Sequence, residues 1–203
     1  MRALFIFSIF LLFTSDICLS QQMKSVLIFS KTTGFRHESI SKGVQTVSRL
    51  LDESGINATH TEDASYFCTD SLSKYDAVLF LSTTGDILTK EQKVAFQEFI
   101  QSGKGYVGIH AASDTEYNWP WYGRLVGGYF SSHPAVQEAT INVVDKNHPS
   151  TKHLQNIWIH RDEWYDFKDV KPGLNILMTL DEKSYQGGKM GKFHPIAWFQ
   201  EFD

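Results

Sequence analysis

Short apolar runs alternate with helical periodicity over residues 24–109, and this constrains the fold more than any other feature of the chain. Residues 24–30 (KSVLIFS), 76–82 (DAVLFLS) and 105–109 (GYVGI) are near-continuous apolar strands. Residues 56–61 make a weaker one. Between them, residues 38–53 carry Ile40, Val44, Val47 and Leu51 at spacings of four, three and four, one stripe of an amphipathic helix. Gly55 is placed to end that helix. Thr89 and Gln92 form a capping box. Val94, Phe96, Phe99 and Ile100 continue from it as an apolar face, and Gly103 closes it. The order is β-α-β-(α)-β-α-β. Strands apolar on both sides, joined by helical crossovers, imply a parallel sheet covered on both faces.

Further strands are expected at residues 139–144, 174–180 and 195–199. Residues 117–135, rich in aromatics and Gly, read as irregular. The 203 residues contain no internal period and no low-complexity linker, so one domain is expected. The net charge of -4, without a run of Lys or Arg, argues against a nucleic-acid partner. The two cysteines, Cys18 and Cys68, exclude a disulfide scaffold or a thiolate zinc cluster.

The first 20 residues read as a secretory signal peptide. Arg2 supplies the positive end, and residues 3–13 form an apolar stretch too short to span a bilayer comfortably. Cys18 and Ser20 stand at positions -3 and -1 of a cleavage before Gln21. Lipid attachment at Cys18 fits less well, because Asp16 precedes it. The expected localisation is secreted or periplasmic, with no stable membrane insertion.

Ligands of open parallel sheets bind beyond the carboxyl ends of the strands. Two segments fall there. Thr32-Thr33-Gly34-Phe35-Arg36-His37-Glu38-Ser39 follows the first strand and leads into a helix N-terminus, which favours partially negative oxygens. Gly108-Ile109-His110-Ala111-Ala112 follows the fourth strand and has the shape of a nucleophile elbow with histidine at its tip. Histidine there suits a general base or a metal ligand better than acyl transfer. Downstream, the pairs His133-Pro134, His148-Pro149 and His194-Pro195 each hold a histidine in extended backbone. His160-Arg161-Asp162-Glu163-Trp164-Tyr165 gathers a base, a cation, two acids and two aromatics, a combination suited to sugars. No HExxH, CxxC or Walker spacing is present. Each of these residues also has a structural reading: a capping or paired Arg36 and His37, a hydrogen-bonded His110, a solvated turn at Asp162 and Glu163, and core Trp158, Trp164 and Trp198.

Several of these runs in series resemble the ThuA-like (trehalose utilisation) family. The match begins with Lys31-Thr32-Thr33-Gly34-Phe35-Arg36-His37-Glu38-Ser39-Ile40. It continues through Tyr75-Asp76-Ala77-Val78, Thr83-Thr84-Gly85-Asp86 and residues 105–112. Trp121-Tyr122-Gly123, Gly127-Gly128-Tyr129-Phe130, His133-Pro134, His148-Pro149, Asp162-Glu163-Trp164-Tyr165 and His194-Pro195-Ile196-Ala197-Trp198 complete it. The resemblance covers residues 24–203. It implies a three-layer, flavodoxin-like fold of the class I glutamine amidotransferase-like type, with a mainly parallel sheet. In true amidotransferases the elbow residue is a Cys nucleophile. With His110 there, glutaminase chemistry should be absent. The resemblance also implies that a Gly-Arg-rich hairpin should follow the last strand, so that the chain is expected to be truncated at its C-terminal end.

These readings give a secreted sugar-active enzyme as the leading expectation. Its catalytic candidates are His110, His37, Glu163 and Asp162. Gly34, Arg36, Trp121, His133, Tyr165 and His194 are the substrate-binding candidates. The alternative is a non-catalytic carbohydrate-binding or accessory module built from the same residues. A small-molecule carbohydrate is the expected partner, and the family's link to keto-sugar formation leaves room for an oxidoreductase partner. The imidazoles and carboxylates would suit a divalent metal, although nothing in the spacing selects one. A flavin is disfavoured, because Phe35, Arg36 and His37 occupy the loop where a phosphate site would need Ser and Thr.

Overall fold

The computed structural model describes residues 24–202. The signal-peptide reading, residues 1–20, lies outside the described residues.

Four strands, β1 (Ser25–Phe29), β2 (Asn57–Thr61), β3 (Ala77–Leu81) and β4 (Gly105–Ile109), form a wholly parallel sheet in the order β2-β1-β3-β4. Helices α1 (Ile40–Glu53), α2 (Thr69–Leu72), α3 (Lys90–Gln101) and α4 (Pro120–Val126) cover it. The period-2 alternation of the strands sorts side chains between two cores. Leu27 and Phe29 of β1 and Val78 and Phe80 of β3 join Phe67, Phe96, Phe99 and Tyr122. Ile28, Leu79 and Leu81 point the other way, against Val44, Val47 and Leu51 of α1. Each large side chain buried in this way contributes about 1.5–3 kcal/mol, which is why the runs are apolar throughout rather than alternating. The result is the expected three-layer α/β arrangement, with a flavodoxin-like strand order.

The local signals around the helices hold. Thr89 Oγ1 accepts from the Gln92 amide while the Gln92 side chain accepts from the Thr89 amide. Gly55 and Gly103 sit just past the ends of α1 and α3 in left-handed conformations. The 117–135 stretch is more regular than its composition suggested. It contains α4 and the strand β5 (Tyr129–Ser132). Pro120 opens α4 and Gly127 ends it at φ +92°. The helix buries Trp121, Tyr122, Leu125 and Val126, an aromatic-rich stripe that masks the usual aliphatic periodicity.

The C-terminal half departs from a mainly parallel sheet. Strands β6 (Gln137–Val143), β7 (Ile157–Asp162), β9 (Asn175–Asp181) and β10 (Pro195–Phe199) form a separate antiparallel sheet in the order β10-β9-β6-β7. Its buried side chains are Ala139, Ile141, Trp164, Leu180 and Tyr185. Strand β8 (Asp166–Lys168) pairs with β5. Strand β7 is an edge strand exposed along its whole length, so it carries no buried alternation from which to be read. Among the described residues, no helix is long and apolar enough to cross a membrane. Cys68 is exposed and free.

Candidate functional site

The loops after β1, β3 and β4 are laced into one platform. Thr33 donates its amide to the Thr84 carbonyl at 2.9 Å, and Thr84 Oγ1 donates to the Phe35 carbonyl at 2.8 Å. Gly85 (φ +74°) lies so close beneath this loop that a Cβ would stand 2.4 Å from Thr33 Oγ1. Thr115 Oγ1 donates to the Thr83 carbonyl at 2.7 Å, and the Glu116 amide donates to the Gly85 carbonyl at 3.1 Å. The buried Glu116 carboxylate then accepts from the Ile87 and Leu88 amides, both at 2.9 Å. Lys93 Nζ also approaches Glu116 Oε2, as a charge contact outside hydrogen-bond directions.

His110 stands on this platform at the tip of the β4 elbow. Its φ of +54° is left-handed, a conformation that L-residues adopt rarely and that aims the side chain out of the strand line. Gly108 allows the bend, because a Cβ there would meet Ala112 Cβ at 3.1 Å and Tyr106 Oη at 2.8 Å. His37 reaches the same point from the β1 loop, and the two imidazoles meet edge to face at 4.6 Å. The antiparallel half supplies the other two groups, from the segment linking β7 and β8. Glu163 Oε2 lies 3.4 Å from His110 Nε2 and 3.6 Å from His37 Nε2. The Tyr165 hydroxyl lies 3.2 Å from His110 Nε2 and 3.3 Å from His37 Nε2.

Burial is the main influence that holds the His110 pKa below its ordinary value. Neighbouring His37 acts in the same direction, while Glu163 and Asp162 oppose it. Burial, and next the Glu163 charge, push the Tyr165 phenol upward, so it stays protonated. His110, Glu163 and Tyr165 line a groove of about 770 Å³ whose walls include Gly108, Trp158, Ile196 and Phe199.

The other expected site residues fall into two groups. His133 is at the rim, stacked on Tyr165 at 5.7 Å, with Nδ1 2.7 Å from the Pro134 carbonyl. A carbonyl only accepts, so Nδ1 carries the proton of that contact. Asp162 lines the groove, and its carboxylate accepts from the Glu163 amide at 2.8 Å, so it shapes the turn that presents Glu163. Gly34 is part of the laced β1 loop.

Four further candidates are engaged within the protein. Arg36 turns away and makes a two-point pair with Glu62 at 3.1 and 2.7 Å. Trp121 is 8% exposed and packs in the core against Phe96, Trp119 and Phe202, so its ring cannot stack on a sugar. Tyr165 is also no platform, since His110 and Phe130 lie against its ring at 4.5 and 4.3 Å. It offers its hydroxyl instead. His194 is fully buried beneath the site, where Nε2 donates to the Tyr165 carbonyl at 2.8 Å.

One residue escaped the sequence reading as a contact. Phe35, 68% exposed, places its ring edge to face with His37 at 4.8 Å. An apolar aromatic isolated in a polar loop was the signal for it. It is an open aromatic face beside the cluster.

The comparisons agree with this architecture. None of the curated proteins matches the chain. The family described as trehalose utilisation (ThuA) matches residues 25–203. Among solved structures, a ThuA-like protein from Bacteroides uniformis is similar at a TM-score of 0.73 and 25% identity, over 86% of this chain and 76% of that one. A ThuA-like protein from Parabacteroides merdae is similar at a TM-score of 0.71 and 22% identity, over 89% and 76%. The flavodoxin-like parallel sheet, the histidine elbow and a match spanning nearly every described residue lead to one conclusion: the chain belongs to the ThuA (trehalose utilisation) family.

Proposed function

We propose that the protein is an exported enzyme acting on a sugar or disaccharide derivative, with His37, His110, Glu163 and Tyr165 as its reaction centre. The convergence of these four polar groups on one point carries the reading. They come from two sheets and from positions 128 residues apart in sequence, as the His37–Tyr165 contact shows. A sugar oxygen entering there meets two imidazole nitrogens, a carboxylate and a protonated phenol. That set can polarise a hydroxyl or carbonyl and move a proton. The family's trehalose-utilisation description supports the substrate class. The N-terminal apolar segment supports export. A histidine rather than a cysteine at the elbow removes the nucleophile that a glutaminase needs.

The test is product formation from trehalose and its keto-derivatives by the purified full chain, followed by NMR. Conversion that disappears in His110→Ala, in a variant that melts as the parent does, supports the reading. Unchanged conversion in that variant removes His110 from the mechanism.

One observation favours a second reading, a carbohydrate-binding module. Phe35 offers an exposed stacking surface whether or not a reaction follows. Saturable sugar binding with no product after prolonged incubation, lost in Phe35→Ala, would select it.

A further inference from the structure

We propose that His37 Nε2, His110 Nε2 and Glu163 Oε2 form a binding site for one divalent transition-metal ion, open on the side of the Tyr165 hydroxyl. The inference deepens the functional reading above and shares its site.

The spacing of the donor atoms is the first argument. All three lie within 4.8 Å of one another. Nitrogen and carboxylate ligands sit about 2.0–2.2 Å from a tetrahedral zinc ion, which puts neighbouring ligand atoms roughly 3.3–3.5 Å apart. The two nitrogen-to-Glu163 separations, 3.4 and 3.6 Å, match that shell. As hydrogen bonds they are poor, since N–H···O contacts centre near 2.9 Å. The arrangement therefore suits an ion held between the groups better than direct bonds among them.

The donor set is the second argument. Two imidazoles and one carboxylate form a three-protein-ligand set that leaves a coordination position for water or substrate. Side-chain exposures of 10%, 24% and 25% for His37, His110 and Glu163 leave a path for an ion to enter. The loops beneath are fixed by the hydrogen bonds that lace β1, β3 and β4, so the two histidine positions are held before an ion arrives.

A second group of similar composition provides the contrast. Asp166, Glu182 and His194 also lie within metal-ligand reach of one another. Their donor atoms are already taken. Glu182 accepts from the Met190 and Gly191 amides at 2.7 and 2.8 Å and faces His194 Nδ1 at 2.9 Å. Asp166 accepts from the Lys189 amide at 2.8 Å and from Ser132 Oγ at 3.1 Å. His194 Nε2 is spent on the Tyr165 carbonyl. That group is a hydrogen-bonded knot under the site. In the first group, by comparison, His37 Nδ1 is buried without a partner. Metal-bound histidines usually have their second nitrogen fixed, and losing such a partner costs about 10–100-fold in affinity. The site should therefore bind about 10–100-fold more weakly than one in which both histidines have their second nitrogen held.

The test is calorimetric titration of the chelator-treated full chain with Zn²⁺ and Mn²⁺, and separately with Co²⁺ followed by visible absorption. One equivalent of ion is expected. Affinity should fall more than about 100-fold in His110→Ala and in Glu163→Gln, since losing a ligand costs more than losing its support. Glu53→Gln, which removes an exposed carboxylate at the end of α1 that pairs only with Arg49, should keep the stoichiometry and the affinity. The Co²⁺ spectrum reads the ligand set directly, so a variant with reduced stability remains interpretable. No binding by the parent chain, or binding that survives both ligand variants, overturns the site. Sugar binding by the chelator-treated chain separates the two proposals. If sugar binds where no metal does, only the metal site falls. If metal binds and no sugar is turned over or bound, only the functional reading falls.

Discussion

Replacing Glu116 by alanine tests whether the platform under the site is held as described. Glu116 is fully buried, and one carboxylate oxygen accepts from the Ile87 and Leu88 amides at 2.9 Å each. Removing it leaves two buried donors without an acceptor, at about 1–3 kcal/mol each. Lys93 loses its charge partner as well, but its side chain is 22% exposed, so water compensates and this adds at most about 1 kcal/mol. The expected cost is about 3–5 kcal/mol, the range seen when a buried charged partner is removed. For a chain of this size each kcal/mol lowers the melting temperature by roughly 2–4 °C, so calorimetry should show a fall of about 6–20 °C. Glu116→Gln keeps an oxygen in the same place and loses only the charge assistance, so it should fall by about half as much. A drop of less than about 2 °C in Glu116→Ala would refute the reasoning. So would identical drops in the two variants, because the amides would then not depend on this carboxylate.

Four further outcomes follow from the site and its supports. Tyr165→Phe keeps the ring stacked on His110 and removes the hydroxyl shared by the two imidazoles. Turnover should drop by about 100-fold or more while the melting temperature stays near the parent's. Phe35→Ala should raise KM for the sugar and leave kcat nearly unchanged if the exposed ring beside His37 serves as the stacking face proposed above. Trp121→Ala should cost about 3–5 kcal/mol in denaturant unfolding with no specific loss of sugar affinity, as expected of a core side chain. Arg36→Ala should shift stability by less than about 1 kcal/mol and leave KM unchanged, since it breaks only an exposed pair with Glu62.

The parallel half of the molecule was legible because its signals are local. The apolar runs of β1 and β3, the four-three-four stripe of α1 and the Thr89 capping box each state their structure within a dozen residues. The antiparallel half was less so. The exposed edge strand β7 buries no face, and the three-residue β8 is too short to show a period. His37, His110, Glu163 and His133 stand out in the sequence because unusual residue types follow strand ends, and the structure brings them close together. Trp121 and His194 were misplaced because sequence shows that a side chain is large or polar, and not which way its element turns it. Whether Trp121 faces the groove or the core depends on the orientation of α4, which is set by packing against Phe96 and the C-terminal Phe202. Arg36 was misplaced for a different reason. Its partner Glu62 comes from β2's end, 26 residues away in sequence, and is brought to Arg36 by the pairing of β1 with β2.

The site is assembled across two sheets, and this gives the buried His194 a role that its position beneath the surface conceals. His37 and His110 belong to the parallel sheet and are fixed by the lacing of its loops. Glu163 and Tyr165 arrive from the antiparallel half, on a segment whose own strands are short or exposed. That segment needs an anchor. The Tyr165 carbonyl and the adjacent Asp166 carboxylate supply it, the first accepting from His194 Nε2 and the second from Lys189 and Ser132. His194 is in turn held at Nδ1 by Glu182 and the Tyr185 hydroxyl. Both of its nitrogens face oxygens, and a carbonyl can only accept, so Nε2 must carry a proton. The chain of contacts thus runs from β9 and β10 through His194 to the backbone of Tyr165, and only then to the hydroxyl between the two imidazoles. The buried histidine thus holds the segment of Glu163 and Tyr165 against His37 and His110.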